Sequence, residues 1–193
     1  MVKRAFDLVA SGAALVVLSP VLFVIGAAVK LTSKGPVLFR HERIGVGHRP
    51  FDVLKFRTMT HGAAGAAITA AGDARITKVG AVLRQYKLDE LPQLLNVLRG
   101  EMSIVGPRPE VARYVELDDR YDTVLQVRPG LTDPASLEYR HEQELLGAQS
   151  NPEQFYVDEL LPEKVRLSVE YVNEQSIRGD INLILETLKA LAR

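Results

Sequence analysis

The sequence predicts a mainly helical α+β protein, with an apolar N-terminal helix over residues 1–34 and a cytosolic domain over residues 35–193. Three observations predict this fold class: a near-continuous apolar run at the N-terminus, two short strand-like runs around one turn, and helical periodicity through most of the remainder. The chain has 193 residues, of which 47% are apolar, enough for one domain core. It contains no cysteine, which excludes disulfides and thiolate metal sites.

The apolar segment over residues 8–31 has roughly the 20 residues that a membrane-spanning helix needs. Basic residues flank it on both sides: Lys3 and Arg4 before it, and Lys30, Lys34, Arg40 and Arg43 after it. Because Lys and Arg favour the cytoplasmic face, both ends favour the same side of the membrane. Ser19 and Pro20 lie in the middle, where a proline bends a helix. We therefore expect a re-entrant helix broken at Ser19-Pro20; a kinked transmembrane helix and a cleaved signal peptide are the alternatives.

The charge distribution is uneven although the formal net charge is zero. Residues 1–60 carry 9 Lys and Arg against 3 Asp and Glu, so the basic charge surrounds the apolar segment. Such clustering favours an anionic membrane surface or a phosphate-bearing substrate. No DNA-binding motif accompanies it, so we expect no nucleic acid partner.

The segment "VLFRHERIGVGHRPFDVLKFRTM" predicts a β-hairpin, because two runs rich in β-branched and aromatic residues surround a "GVGHRP" turn. Lys55 and Arg57 fall on its second strand, and the two-residue spacing predicts that both point to one face. The small-residue run over residues 60–73 is expected to be a loop.

Apolar residues at helical spacing predict a helix from Thr77 and a second one over "LDELPQLLNVLRG", which ends at Gly100. Pro92 is expected in the first turn of the second helix, where no backbone bond is lost. Asp89 and Glu90 therefore lie at or just before a helix N-terminus.

The C-terminal part over residues 151–193 predicts two or three amphipathic helices, with Pro152 and Pro162 in first turns. The last helix carries an apolar stripe made of Ile181, Ile184, Leu185, Leu188 and Leu191. Core packing is the expected use of this stripe, and contact with a membrane surface is the alternative.

The adjacent carboxylates Asp89 and Glu90 are the candidate chemical site. Helix capping is the ordinary role of such residues. Two cations set this pair apart: Arg84 lies five residues earlier, and Arg108 follows in a rigid Gly-Pro-Arg-Pro loop. We expect these arginines to lower the carboxylate pKa, which suits a nucleophile or a magnesium ligand. The same cations would bind a diphosphate.

Four stretches together resemble the bacterial sugar transferases, the monotopic polyprenyl-phosphate phosphoglycosyl transferases: "KRAFDLVASGAALVVLSPVL", "GPVLFRHERIGVGHRPFDVLKFRTM", "LRQYKLDELPQLLNVLRGEMSIVGPRPE" and "RPGLT". The resemblance runs along nearly the whole chain and is to the minimal catalytic form of the family. It implies transfer of sugar-1-phosphate from a UDP-sugar to undecaprenyl phosphate at the cytoplasmic face of the bacterial inner membrane. It also implies Mg²⁺, release of UMP, and a covalent intermediate on the aspartate of the pair.

By this resemblance, Asp89 is the nucleophile, and Glu90 orients the site and helps to bind Mg²⁺. Phosphate- or nucleotide-binding positions of the family match Lys55, Arg57, Arg84, Arg108 and Arg140. The stretch "GLTDPASLEYR" departs from the family pattern before Arg140, which leaves the donor open between a hexose and an N-acetylated amino or dideoxy sugar. A catalytically silent, membrane-anchored scaffold is the alternative from another class, and a homodimer is left open.

Overall fold

The computed structural model describes residues 2–63 and 73–191 of the chain. The helices are α1 (Val2–Thr32), α2 (Lys78–Gln85), α3 (Gln93–Arg99), α4 (Ala112–Val115), α5 (Tyr121–Val124), α6 (Pro134–Glu138), α7 (Glu142–Gly147), α8 (Pro152–Phe155), α9 (Leu161–Glu174) and α10 (Ile177–Leu191). The strands are β1 (Leu38–Ile44), β2 (Pro50–Phe56), β3 (Ser103–Val105) and β4 (Gly130–Thr132), with 3-10 turns at Val46–His48 and Leu88–Glu90 and a π-helical turn at Tyr156–Leu160. The fold class is therefore mainly helical with a small hairpin, as predicted, and it contains a second two-stranded sheet that the sequence did not predict.

Helix α1 is long and apolar enough to cross a membrane, and most of its apolar surface is exposed. The helix continues through Ser19 and Pro20, so the predicted break at these two residues is absent. Pro20 has no N–H for the carbonyl of Val16, four residues earlier. The Ser19 hydroxyl instead donates to that carbonyl over 2.8 Å, which compensates for the missing backbone bond.

The N-terminal third of α1 is held by the following domain. Arg4 donates to the carbonyl oxygens of Val97 and Leu98 at the end of α3, over 2.6 and 3.0 Å. The buried carboxylate of Asp7 accepts from the Ser103 hydroxyl and the Ile104 N–H in β3, over 3.0 and 3.1 Å. This end of the helix is thus fixed by polar contacts to two elements.

The C-terminal third of α1 is held by the same domain. Ile25 and Val29 are buried in an apolar cluster with Phe56 of β2 and Leu83 of α2. Beyond them, the guanidinium of Arg57 donates to carbonyl oxygens at the end of the helix. Only the middle of α1, between Ser11 and Ile25, lacks a buried residue.

The predicted hairpin is confirmed: β1 and β2 pair antiparallel with Phe39 opposite Lys55. Its second strand is tied to α3, because Asn96 accepts from the Leu54 N–H and donates to the Asp52 carbonyl oxygen. Asn96 is fully buried, so the hairpin and α3 form one unit. The expected loop over residues 60–73 lies mostly on residues 64–72, outside the described part of the chain.

The two helices that surround the carboxylate pair are confirmed. Thr77 caps α2 by accepting from the Gly80 N–H, and Gly100 ends α3 in the left-handed region, at φ 86°. Pro92 is the N-cap residue of α3 rather than a first-turn residue. Asp89 and Glu90 lie just before it, in the 3-10 turn Leu88–Glu90.

The C-terminal part packs around an apolar cluster that α4, α5, α7, the π-helical turn and α9 share. Its buried members are Tyr114, Val115, Tyr121, Val124, Leu125, Leu146, Tyr156, Leu160, Leu161 and Val165. The short strands β3 and β4 pair in parallel beside it. Pro152 and Pro162 occupy first-turn positions of α8 and α9, as predicted.

The expectation that the apolar stripe of α10 packs in the core is wrong. Ile181, Leu185, Leu188 and Leu191 are all exposed. The face of α10 that packs lies beside this stripe: Asp180 is buried, Ile184 is half-buried, and Thr187 contacts Thr132 of β4 over 2.7 Å. The amphipathic pattern is real, but four of the five residues of its apolar stripe are exposed rather than packed in the core.

The contact of Asp7 with β3 gives a first testable prediction. Asp7→Ala removes the acceptor of two donors in β3, and a buried unsatisfied donor costs about 1–3 kcal/mol. We expect a lower midpoint of thermal unfolding in detergent micelles. Asp122→Ala, which alters a carboxylate that is 79% exposed, should leave the midpoint within experimental error; an equal loss in both variants would contradict the anchoring role of Asp7.

Candidate active site

Glu90 is buried and connects the charged residues of the site. Its Oε1 atom accepts from Lys55 Nζ at 2.8 Å and from Arg108 Nη2 at 2.7 Å. Lys55 comes from β2 and Arg108 from the loop after β3, so one carboxylate joins three segments. Burial alone would raise the pKa of Glu90, but the charges of Arg108 and Lys55 outweigh it and hold the pKa well below its usual value.

Asp89 has a different environment from its neighbour. Its carboxylate is buried, yet it makes no hydrogen bond or ion pair within residues 2–63 and 73–191. Burial, together with the charge of Glu90, raises the pKa of Asp89, and Lys55 and Arg84 counteract this only in part. The expectation of a lowered pKa is therefore wrong for Asp89, because the cations pair with Glu90 instead.

Arg84 supplies a third cation beside the pair. Its Nε atom donates to the Thr58 hydroxyl over 2.9 Å, which aligns the end of α2 with the segment after β2. Burial lowers the pKa of Arg84, and the charge of Asp89 offsets this in part. In turn, the charge of Arg84 lowers the pKa of Asp89. Lys55, Arg84 and Arg108 therefore surround two carboxylates, an arrangement suited to an anionic ligand.

Arg57 makes its hydrogen bonds away from this cluster, so the part of the chain that the structure describes does not join it to Lys55 and the carboxylate pair. Its guanidinium donates to the carbonyl oxygens of Ser33, Val29 and Lys34 and to the Ser33 hydroxyl. The last carbonyls of a helix lack partners within the helix, and a buried guanidinium satisfies several of them at once. In this structure Arg57 caps α1.

Arg140 lies in the short connection between α6 and α7 and is exposed. Its Nε atom donates to Nε2 of the neighbouring His141 over 3.0 Å. Thus the structure assembles Lys55, Arg84 and Arg108 with the carboxylate pair, and shows no such contact for Arg140.

A second buried ionic cluster, which the sequence did not single out, supports the Arg108 loop. Glu110 accepts from Arg43 Nη1 at 3.0 Å and from the Tyr156 hydroxyl at 2.9 Å. Lys164 lies beside it and bonds Glu142 over 2.9 Å. The only signal in the sequence was the position of Glu110, directly after the Gly-Pro-Arg-Pro loop.

The carboxylate pair is compatible with Mg²⁺, which binds proteins through one or two carboxylates together with substrate phosphates. Asp89 has no competing hydrogen bond to any residue of 2–63 or 73–191, so its oxygens are available there to a cation. Glu90 already accepts from two cations, which favours an orienting role for it. No cluster of three or more acidic or histidine ligands occurs among the described residues, so phosphate oxygens or water would complete the coordination.

An exposed apolar helix together with a cation-lined carboxylate pair is the arrangement expected of proteins that act on anionic substrates near a lipid surface. A family model narrows this class: the model described as "Bacterial sugar transferase" matches residues 1–193. The chain belongs to the bacterial sugar transferase family.

Several relatives are similar over nearly the whole chain. The UDP-glucose:undecaprenyl-phosphate glucose-1-phosphate transferase of Caulobacter vibrioides is 38% identical over 98% of this chain and 69% of its own length. The Escherichia coli protein of the same name is 40% identical over 97% of this chain but only 39% of its own length. The exopolysaccharide production protein ExoY of Rhizobium meliloti is 36% identical, covering 99% of this chain and 85% of its own.

The Glu110 cluster predicts an acid-sensitive stability. Burial raises the pKa of Glu110, but the charges of Arg43 and Lys164 outweigh this effect. The pKa of Glu110 is therefore below its usual value. A carboxyl whose pKa is lower in the folded state stabilises the fold above the unfolded value of about 4.5 and loses this contribution as the pH falls through the folded value. In detergent, the unfolding midpoints of wild type and Glu110→Gln should differ most at pH 7 and converge below about pH 4.5.

Glu116→Gln is the matched control for this measurement, because Glu116 is exposed. We expect its unfolding midpoint to follow that of the wild type at every pH. A difference between wild type and Glu110→Gln that stayed constant down to acid pH would show that the charge of Glu110 is not what stabilises the fold.

Proposed function

We propose that this protein transfers sugar-1-phosphate from a UDP-sugar to undecaprenyl phosphate, as an early membrane step of exopolysaccharide assembly. The names of relatives that align over nearly all of this chain support this activity, and UDP-glucose is the proposed donor because two of those names specify it. The role in exopolysaccharide assembly rests on the relative named for exopolysaccharide production.

The observation that carries the proposal is the contrast between the two adjacent carboxylates. Glu90 is held by Lys55 and Arg108, whereas the Asp89 carboxylate, near Lys55 and Arg84, has no hydrogen bond or ion pair among the described residues. A nucleophile needs an unengaged oxygen, and a diphosphate needs cations that neutralise its charge. These contacts support a division of roles in which Asp89 reacts and Glu90 positions the cations.

In the proposed first step, a carboxylate oxygen of Asp89 attacks the sugar-bearing phosphorus of the UDP-sugar. The bond from that phosphorus to the bridging oxygen breaks, and UMP leaves with the electron pair. In the second step, a phosphate oxygen of undecaprenyl phosphate attacks the same phosphorus, which releases the Asp89 carboxylate unchanged. Lys55, Arg84 and Arg108 neutralise the phosphate oxygens in both steps. Mg²⁺, held by the Asp89-Glu90 pair and phosphate oxygens, would supply further charge neutralisation.

We further propose that α1 enters and leaves the cytoplasmic face of the inner membrane. Both ends of the helix contact the same domain, through Arg4 and Asp7 at one end and Val29 at the other. The segment between Ser11 and Ile25 is about 20 Å long at 1.5 Å per residue, shorter than the roughly 30 Å hydrocarbon core. The exposed side chains in this segment, such as Val17 and Phe23, would then lie in lipid.

Helix α10 supports the same membrane orientation. Its exposed apolar face is bordered by Arg178 and Lys189, and basic side chains at the edge of an apolar face suit an anionic lipid surface. The ion pair of Lys3 with Asp180 joins the start of α10 to the start of α1. We propose that α10 is an interfacial helix, which corrects its expected use in the core.

The role of Asp89 predicts the behaviour of Asp89→Asn. With UDP-glucose, Mg²⁺ and undecaprenyl phosphate, UMP release should fall by about 1,000-fold or more, because a carboxamide is a poor nucleophile. Mass spectrometry of the wild type without the lipid acceptor should detect a phosphosugar on the peptide that contains Asp89. Asp119→Asn, an exposed control, should retain wild-type UMP release.

Two outcomes of this assay would redirect the proposal. Undiminished UMP release by Asp89→Asn would remove Asp89 as the nucleophile. Binding of UDP without turnover across a panel of hexose, N-acetylated amino and dideoxy donors would favour the catalytically silent scaffold instead.

The topology of α1 can be tested with single cysteines, because the chain has none of its own. Val2→Cys and Gln175→Cys should react with a membrane-impermeant maleimide only from the cytoplasmic side, while Val17→Cys should be protected by lipid. Labelling of Val2→Cys from the periplasmic side would establish a transmembrane helix.

A further inference from the structure

The loop that carries Arg108 is held by three hydrogen bonds to β4 and to Asp133, the residue that follows it. The Gly130 N–H donates to the Pro107 carbonyl oxygen over 2.9 Å, and the Gly106 N–H donates to the Thr132 carbonyl oxygen over 3.1 Å. The third bond runs from the Arg108 N–H to Oδ2 of Asp133, also over 3.1 Å. Only this third bond uses a side chain, so it is the one that a substitution can remove.

The loop has little freedom to find another partner. Arg108 lies between two prolines, Pro107 and Pro109, which have no N–H of their own. The loop and β4 are also in close backbone contact, since a Cβ atom on Gly130 would lie 2.1 Å from the Gly106 nitrogen. The Arg108 N–H is therefore the donor by which the Asp133 side chain can hold the centre of this loop.

We infer that Asp133 is a positioning residue for Arg108, and that it sets how this arginine presents its guanidinium to the diphosphate of the substrate. Asp133 is 1% exposed, and its two oxygens have separate tasks. Oδ1 accepts from the Ser136 N–H over 2.8 Å and caps α6, while Oδ2 accepts from the Arg108 N–H. The inference rests on the proposed function, because that function makes Arg108 a diphosphate ligand.

Helix capping alone does not account for both bonds of Asp133. The same local pattern occurs at Asn151, an N-cap residue that also precedes a proline and accepts from the Gln154 N–H over 3.2 Å. That cap is exposed, and its single side-chain oxygen makes the capping bond to Gln154. The second oxygen is what distinguishes Asp133, and it points to the Arg108 loop.

Electrostatics reinforces the geometry. Glu90 bonds the guanidinium of Arg108 from one side, while the Asp133 carboxylate bonds its backbone N–H. Both charges raise the pKa of Arg108, with Glu90 the larger cause. Glu90 therefore holds the guanidinium of Arg108, and Asp133 holds its backbone N–H. The two contacts together limit the directions that the remaining guanidinium donors can take.

Asp133→Asn is the discriminating variant. Asparagine caps helices as well as aspartate does, so α6 keeps its cap, but the amide nitrogen cannot accept from the Arg108 N–H. We expect Kd for UDP, measured by calorimetry on the detergent-solubilised protein with Mg²⁺, to rise about tenfold with little change in the unfolding midpoint. In turnover of the UDP-sugar, we expect KM to rise more than kcat falls.

A double-mutant cycle with Arg108→Lys separates positioning from a general effect on the fold. If Asp133 acts through Arg108, then Asp133→Asn should change Kd for UDP by less than about twofold when Arg108 is already lysine. The control Asn151→Ala, a cap without a second bond, should leave Kd unchanged in both backgrounds. Equal effects of Asp133→Asn in both backgrounds, or no effect in the wild-type background, would overturn the inference.

The binding measurement also keeps this inference separate from the proposed function. Loss of sugar-phosphate transfer by the wild type would defeat the proposed function, whereas the coupling between Asp133 and Arg108 is measured on UDP binding alone. Transfer by the wild type together with independent effects of the two substitutions would overturn the inference and leave the proposed function standing.

Discussion

The shared carboxylate of Glu90 is the interaction on which the rest of the site depends. It brings Lys55 from the hairpin and Arg108 from the loop after β3 to one point, from a turn that leads into α3. A buried charge is tolerated only when it is paired, so the three segments must meet for any of them to be satisfied. Because Glu90 binds these cations, its buried neighbour Asp89 has no ion pair within the described residues, and the ion network that holds the three segments together leaves that carboxylate open to a ligand.

Helix α1 and the candidate site share the same strand. The hairpin strand that carries Lys55 also carries Phe56, which packs against Val29 of α1. Directly after it, Arg57 caps the end of that helix. A displacement of α1 relative to the domain would therefore disturb the strand that presents Lys55 to Glu90. This coupling gives the apolar helix and the charged site a fixed mutual position.

Local signals predicted the elements well. The hairpin, the caps at Thr77 and Gly100, and the position of Asp89 and Glu90 before α3 depend on short-range chemistry that neighbouring residues determine. Long-range partners could not be predicted in this way. The partners of Arg57 are carbonyls of α1, more than twenty residues earlier. The bond of Asp133 to Arg108 likewise depends on a loop that precedes it by 25 residues.

By itself, the sequence determined the mainly helical α+β class, the apolar helix with its Ser19-Pro20 pair, and the presence of one carboxylate pair among arginines. The tertiary structure decided which carboxylate is paired and which is free, and which face of α10 is exposed. The physical reason is that periodicity reports which residues can be buried together, whereas pKa values and ion pairing depend on charges that approach from other segments. Adjacent positions such as Asp89 and Glu90 therefore acquire opposite properties only in the folded chain.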